Sequence, residues 1–200
     1  GWTARAPRRV HMVRQDRSAY PWASSGLRAA STGGSNFSLL VRDNFMPPVQ
    51  TVNAVTLRPA TMSDADLLLV WRNDPETRAN SWNTHAVTKE AHEQWLRRAV
   101  ETPGVHGKYV FIAEADGQPV GTGRLEWTPG VHGIEVSLMV APEHRRRGYG
   151  TAILCALRTE VAQRGWARAR LVAAIKPGNV ASIGTFIKAG FTPQRLEMYG

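Results

Sequence analysis

Hydrophobic and polar residues follow two different periods from residue 54 onward, and these periods predict strands and helices in turn. The stretch "AVTLRPA" alternates every second residue, which indicates a short strand. Ser63 and Asp64 provide N-caps for the helix "DADLLLVWRND", which we expect to end near Pro75. Thr88 is the N-cap of a second helix, "KEAHEQWLRRAV". The stretch "NSWNTHAV" between the helices has no clear period and predicts a loop.

The second half of the chain continues the alternation of strands and helices. Asp116 and Gly117 join "KYVFIAEA" to "QPVGTGRLEW", and an Asp-Gly pair between strands is a strong hairpin signal. The later elements are a strand, a helix, a strand, a helix and a last short strand: "HGIEVSLMVA", "GYGTAILCALRTEVAQRG", "ARLVAAI", "NVASIGTFIKAG" and "FTPQRLEMY". The order β-α-α-β-β-β-α-β-α-β predicts one α/β domain over residues 54–200.

Residues 1–53 show neither period and form a separate compositional segment. The stretch "WASSGLRAASTGGSNFS" is rich in serine, glycine and alanine, and "MPPVQ" places two prolines before the first clear strand. We therefore expect a flexible basic extension. An arm that binds RNA or a protein partner is the alternative.

The positive charge of the chain is concentrated in that extension. The formal net charge is +9, and residues 1–50 contain seven arginines but two aspartates. A basic tail differs from a basic binding face, and no series of aromatic residues accompanies the other arginines, so we do not expect nucleic-acid binding by the domain.

Cysteine and hydropathy patterns exclude several classes of protein. Cys155 is the only cysteine, so neither an internal disulfide nor a cysteine zinc cluster is expected, and the histidines lack metal-ligand spacing. No apolar run approaches the roughly 18 residues of a membrane span, and the first residues do not form a secretory signal. We expect a cytoplasmic protein without a metal and without a membrane contact.

The stretch "VAPEHRRRGYGTAIL" places three arginines directly before Gly148 and Gly150, at the predicted start of a helix. Glycine there lets backbone N–H groups approach a ligand, and the helix N-terminus adds partial positive charge. A pyrophosphate fits such a cradle. The dinucleotide fingerprint is not met, because Ile153 stands where its third glycine would fall, and a lysine-bearing phosphate loop is also absent.

Arg145 to Gly150 resembles the Arg/Gln-x-x-Gly-x-Gly/Ala signature of the GNAT acyl-CoA N-acyltransferases. A second block, "NVASIGTFIKAGF", is similar to another segment of the same family, and the likeness covers roughly residues 55–199. It implies a central mixed, mostly antiparallel sheet flanked by about four helices. Few residues follow Gly190, so the last strand of the family is expected to be absent, supplied by a partner or lost. An unpaired edge would favour a homodimer.

The resemblance also implies acetyl-CoA as co-substrate and assigns the residues that bind it. Backbone groups of one strand would hold the pantetheine and polarise the thioester: Leu138, Met139 and Val140. Backbone amides of the loop would take the pyrophosphate: Arg146, Arg147, Gly148, Tyr149, Gly150 and Thr151. Arg145 would reach the pyrophosphate by its side chain, and Asn179 would contact the cofactor.

Acetyl transfer to an amine requires a group that accepts a proton and a group that donates one. Glu135 is the predicted base, because the resembling enzymes often place a carboxylate on this strand, with a solvent-facing Glu135 as the alternative. The imidazoles of His85 and His92 are the weaker candidates, since both fit an ordinary loop or helix position. The usual proton donor is a tyrosine four residues after the Ser182 position, where this chain has Phe186. Ser182 is therefore the predicted donor, with Tyr149 or water as alternatives.

The segment from residue 71 to residue 96 would shape the acceptor pocket. It resembles the branch that acetylates an amino sugar in pseudaminic acid synthesis and, more loosely, the acetyltransferases of ribosomal-protein N-termini. The predicted acceptor-binding residues are Arg78, Trp82, Asn83 and His85, with arginine for phosphate and tryptophan for stacking. The alternative is that the polar residues of this segment form a solvated loop. A nucleotide-linked amino sugar is the leading acceptor. A peptide N-terminus and a non-catalytic acyl-CoA-binding module remain open.

Overall fold

The computed structural model describes residues 38–43, 51, 53–103, 108–128, 133–166 and 169–194. The strands are β1 Ser38–Asp43, β2 Thr56–Pro59, β3 Lys108–Ala115, β4 Gln118–Thr128, β5 Gly133–Val140, β6 Arg170–Ile175 and β7 Thr192–Gln194. The helices are α1 Ala65–Asn73, α2 Pro75–Asn80, α3 Lys89–Glu101, α4 Tyr149–Gln163 and α5 Val180–Lys188. Within these described ranges, no helix is long and apolar enough to cross a membrane.

The seven strands form one sheet in the order β2-β3-β4-β5-β6-β1-β7. Neighbouring strands are antiparallel except β5 and β6, which are parallel. The expected α/β fold with a mixed, mostly antiparallel sheet is confirmed. The parallel pairing runs only from Gly133 to Glu135, although β5 continues to Val140, so the two strands diverge beyond that point.

Local sequence signals account for most element boundaries. Thr88 accepts a hydrogen bond from the amide of Ala91 at 3.3 Å and begins α3 as predicted. Asp116 and Gly117 have φ angles of 51° and 74°, the left-handed geometry that a tight hairpin requires. The short helix α2 was not predicted. Asp74 caps it by accepting from the amide of Thr77, and Pro75 occupies its first position.

Apolar residues cover both faces of the sheet. One cluster packs against α4 and α5 and contains Ile134 and Val136 of β5. The other packs against α1 and α3, and Met139 of β5 contacts it. Because successive residues of a strand point to opposite faces, Glu135 and Ser137 face the side of α1 and α3.

The strand β1 departs from the expectation that residues 1–53 form a flexible extension. It pairs with β6 over six residues and with β7 over three, antiparallel to both. Leu40 is 0% exposed and lies in the core with Leu171 and Phe186. An extension could not bury a leucine in this way. Residues 1–37, 44–50 and 52 lie outside the described residues, so the domain boundary at residue 53 stays a prediction.

The same strand bears on the expected gap in the sheet. The resemblance implied that the last strand would be absent, supplied by a partner or lost. In the described sheet, β1 of the same chain lies between β6 and β7. That position therefore needs no strand from a second copy, and the homodimer stays untested.

The burial of Leu40 gives a test of the place of β1 in the fold. We expect Leu40→Ala to lower the free energy of unfolding by about 2–5 kcal/mol, because it removes apolar contacts and leaves a cavity. Val70 is 66% exposed on α1, and Val70→Ala should change that free energy by less than about 0.5 kcal/mol. Urea titration of the full chain measures both. Equal effects of the two substitutions would show that β1 does not pack in the core.

Candidate functional site

A cavity of about 560 Å³ opens where β5 and β6 diverge. The ends of both strands, the first turn of α4 and one face of α5 form one side of it. The helices α1, α2 and α3 contribute to the other side. Thirteen of the seventeen predicted site residues line this cavity: Trp82, Glu135, Leu138, Met139, Val140, Arg145, Arg146, Gly148, Tyr149, Gly150, Thr151, Asn179 and Ser182.

The loop between β5 and α4 has the backbone geometry of an anion cradle. Arg146 and Gly148 have φ angles of 61° and 85°, and no side chain caps the N-terminus of α4. The first amides of the helix are therefore available to a ligand. A Cβ atom at Gly150 would come within 2.9 Å of Thr185 Cγ2. Glycine at this position lets α4 approach α5 closely.

Arg147 belongs to the same loop but does not line the cavity. Its side chain is exposed, and its carbonyl oxygen accepts a hydrogen bond of 2.6 Å from Asn53 Nδ2. Arg147 thus connects the loop to the segment that precedes β2, and the structure gives its side chain no part in the cavity.

Arg145 lines the cavity, but acidic residues of the neighbouring segment occupy its guanidinium. Nη1 donates to Glu76 Oε2 at 3.0 Å, and Nη2 donates to Asp74 Oδ2 and to Thr77 Oγ1. The sequence did not show that residues 74–77 fold against this loop and engage the guanidinium. The predicted contact of the Arg145 side chain with a pyrophosphate stays a prediction.

The diverging part of β5 presents backbone groups to the cavity. Leu138, Met139 and Val140 pair with β4 on one side, whereas the described pairing with β6 has already ended at Glu135. Their remaining N–H and C=O groups are directed along the sheet plane into the space between the strands. An extended amide-bearing ligand finds there the partners that a neighbouring strand would offer.

Glu135 lies inside this site and does not face solvent. Its side chain lines the cavity and the residue is 5% exposed. Arg124 Nη2 lies 4.0 Å from Glu135 Oε1 and 3.7 Å from Glu126 Oε2. Glu126 in turn pairs with Lys108 at 3.1 Å. The carboxylate therefore has a positive neighbour within ion-pair distance in the cavity wall.

His92 lines the cavity, although the sequence favoured it as an ordinary helix residue and not as a site residue. The imidazole is 1% exposed, and its centroid lies 5.6 Å from the nearer ring of Trp95, which also lines the cavity. Burial lowers the pKa of His92, and the charge of the buried Arg72 lowers it further. The imidazole is therefore neutral at physiological pH. The spacing of His92 and Trp95 on one helical face was the available signal.

The start of α5 forms another part of the cavity wall. Asn179 is the N-cap of α5, and its Oδ1 accepts from the amide of Ser182 at 3.0 Å. Ser182 lines the cavity, and Phe186 is buried against Phe191. Tyr149 also lines the cavity, and its ring lies 5.6 Å from that of His144.

Three of the four predicted acceptor-binding residues shape the loop between α2 and α3 and do not line the cavity. Arg78 Nε donates to the carbonyl of Thr84 at 2.9 Å. Asn83 Oδ1 accepts from the amide of His85 at 2.9 Å. Trp82 lines the cavity. The buried Arg72 of α1 also holds this loop, because its Nη2 donates to the carbonyl of Asn83 at 2.8 Å. Among the described residues, no cluster of histidine, cysteine or carboxylates is suited to a metal ion.

Comparison with known proteins identifies relatives of this chain. A profile of the GNAT acetyltransferase domain matches residues 54–192. A ribosomal-protein-alanine N-acetyltransferase from Brucella melitensis is 31% identical, with a TM-score of 0.55, over 68% of this chain and 83% of that one. The comparison with curated proteins gives no match.

Two further solved structures share the fold at lower identity. An aminoglycoside acetyltransferase in complex with paromomycin and acetyl-CoA is 22% identical, with a TM-score of 0.61, over 71% of this chain and 85% of that one. A spermidine N-acetyltransferase from Vibrio cholerae in complex with CoA and spermine is 16% identical, with a TM-score of 0.59, over 70% and 82% of the two chains.

The lowered pKa of His92 predicts a pH dependence of stability. As pH falls below the ordinary histidine pKa of about 6.5, the unfolded chain gains a proton at His92 that the folded chain does not accept. The free energy of unfolding therefore decreases between pH 7 and pH 5. His92→Gln should reduce this decrease, and His85→Gln, at an exposed loop position, should not. Urea titrations at several pH values measure the slopes, and equal slopes for the wild type and His92→Gln would contradict the assignment.

Proposed function

The chain belongs to the GNAT acetyltransferase family and is an acetyl-CoA-dependent N-acetyltransferase, and we propose that its acceptor is an amino sugar, in the first place one linked to a nucleotide. The observation that carries the proposal is the balance of charge and aromatic surface at the acceptor end of the cavity. Glu76 and Glu135 line it together with Arg72 and Arg124, and Trp82 and Trp95 add two indole rings.

That balance disfavours a polycation and favours an acceptor with one amine. A polyamine or a multiply charged aminoglycoside would need an excess of carboxylates, whereas two acids line the cavity together with four arginines and two lysines. Indole rings offer flat apolar surface to the ring of a sugar. A nucleotide phosphate finds no partner in Arg78, because Arg78 is bonded to Thr84 outside the cavity lining. Linked and unlinked amino sugars are therefore separate arms of the test.

The described residues suit acetyl-CoA at the other end of the cavity. The uncapped first turn of α4, with Arg146 and Gly148 in left-handed geometry, supplies amides for the pyrophosphate. The free edge of β5 from Leu138 to Val140 supplies partners for the pantetheine amides. When bound, the thioester supplies the acetyl group. Backbone N–H groups of β5 directed at its carbonyl oxygen would stabilise the negative charge that develops there.

Glu135 is the proposed base of the reaction. An amine with a pKa near 10 costs about 4 kcal/mol to deprotonate at pH 7, so a group that accepts the proton on attack lowers the barrier. Glu135 is the carboxylate of the strand that parts from β6, and it lines the cavity on the acceptor side. Arg124 holds it in place.

Ser182 is the proposed source of the proton that the leaving thiolate requires. Its hydroxyl lies on the cavity wall of α5, and Phe186 one turn later has no proton to give. We also propose that the catalytic unit contains β1 in addition to residues 54–194, since β1 fills the sheet beside β6.

A peptide N-terminus is the second candidate acceptor. The observation in its favour is the 31% identity to a ribosomal-protein-alanine N-acetyltransferase. A peptide N-terminus also presents one amine, as the charge of the cavity lining requires. Trp82 lines the cavity and would lie beside an extended peptide.

Release of free coenzyme A from acetyl-CoA by the full chain tests the proposal directly. Four acceptors are compared: a UDP-linked 4-amino-4,6-dideoxy sugar, the same sugar without the nucleotide, short peptides with free N-termini, and spermidine. Mass spectrometry verifies the acetylated product. We expect release with the linked sugar to exceed release with spermidine by at least about tenfold. Release with peptides alone would replace the amino sugar by the protein N-terminus, and preference for spermidine would overturn the charge argument.

The role of Glu135 predicts a change in rate and in pH profile. With the best acceptor, Glu135→Gln should lower kcat/KM at pH 7 by about 10²-fold or more, since the amine must then arrive already deprotonated. The rate of this variant should rise steadily with pH, while acetyl-CoA binding is unchanged. Glu126→Gln is the matched control, because Glu126 faces Glu135 on the adjacent strand but does not line the cavity. Equal rates for the two variants would remove Glu135 from the mechanism.

A further inference from the structure

The helix α2 covers part of the cavity without being anchored in the core. It has six residues and none of them is buried. Glu76, Thr77 and Asn80 nevertheless line the cavity, and Ser81 and Trp82 follow directly. A short helix without buried side chains gains little from packing, so polar contacts must hold it in place.

Those contacts lie at both ends of the helix. At its N-terminus, Arg145 binds Asp74, Glu76 and Thr77. Near its C-terminus, Lys176 Nζ donates to the carbonyl of Ala79 at 3.3 Å. Arg145 follows β5 and Lys176 follows β6. The helix therefore bridges the two strands whose separation creates the cavity.

The N-terminal contact is the stronger of the two. Burial alone would raise the pKa of Asp74, but hydrogen bonds from Arg145 and from the amide of Thr77 outweigh it and lower the pKa. Asp74 is thus ionised while it caps α2. The pair is partly shielded from water, with both side chains about one-fifth exposed, so the attraction is screened less than at an open surface.

We propose that Arg145 is a positioning residue that clamps α2 onto the coenzyme-binding loop and so joins the acceptor wall to the phosphate cradle. This inference rests on the proposed function for the identity of the anion. The clamp has two consequences. It orders α2 in the free protein, and it neutralises two carboxylates that would otherwise repel a pyrophosphate bound at the start of α4.

The second consequence separates this role from direct phosphate binding. If Arg145 contacted the pyrophosphate itself, its loss would weaken acetyl-CoA binding whatever stands at residues 74 and 76. If Arg145 acts by neutralising Asp74 and Glu76, removing their charges restores binding. Asp74→Asn suits this purpose, because asparagine is also a good N-cap and keeps the bond to Thr77.

Hydrogen exchange in the free protein tests the ordering of α2. Arg145→Gln should speed exchange of the amides of residues 76–82 by about tenfold, because the clamp no longer resists local opening. Peptides from α3 and α4 should be unchanged. Arg97→Gln is the matched control, since Arg97 pairs with Glu101 on the exposed face of α3. Unchanged exchange of α2 in Arg145→Gln would overturn the clamp.

Calorimetric titration with acetyl-CoA tests the electrostatic role. Arg145→Gln should weaken binding by about tenfold, and the triple variant with Asp74→Asn and Glu76→Gln should return to within about threefold of the wild type. Binding that stays weak in the triple variant would make Arg145 a direct phosphate ligand and overturn the proposal. A wild-type chain that does not bind acetyl-CoA would instead refute the proposed function, and the exchange experiment would still decide the clamp.

Discussion

The parting of β5 from β6 is the constraint on which the rest of the site depends. Two parallel strands stop pairing at Glu135 and Val172, and β5 then continues for five residues with one edge unpaired. Backbone polar groups at such an edge are costly to bury without partners. The structure leaves them facing a cavity. A ligand with amide groups can satisfy them, and this explains why the sheet is opened at one point and closed everywhere else along β5.

Charge at the site is organised in local pairs. Arg145 is matched by Asp74 and Glu76, and Arg124 lies between Glu126 and Glu135. The three consecutive arginines of the loop therefore do not act together. Arg145 is bonded to residues 74–77, Arg147 lies outside the cavity lining, and Arg146 has left-handed backbone geometry in the loop. Anion binding through preorganised amides leaves the arginine side chains available for positioning.

The parts of this structure that follow local rules were predictable. The glycine-rich loop, the hairpin at Asp116 and the cap at Thr88 depend on residues adjacent in sequence, and strand alternation placed Glu135 on one face of β5. Contacts between distant segments were not predictable. The strand β1 is six residues long after a segment without periodicity, and its partners are more than 120 residues away. The role of Arg145 likewise depends on a helix 68 to 71 residues earlier.

The same distinction bears on the choice of acceptor. Residue type alone suggested Arg78, Asn83 and His85 as acceptor-binding residues. In the structure these residues stabilise the loop, because Arg78 donates to the carbonyl of Thr84 and the amide of His85 donates to Asn83. The surface left for the acceptor comes from α2, α3 and β5 together: two indole rings, a neutral buried imidazole and one carboxylate beside an arginine. With no excess of carboxylates to attract a polycation, such a surface would select an acceptor by shape and by one amine. On the proposed function, specificity would therefore depend on the position of α2.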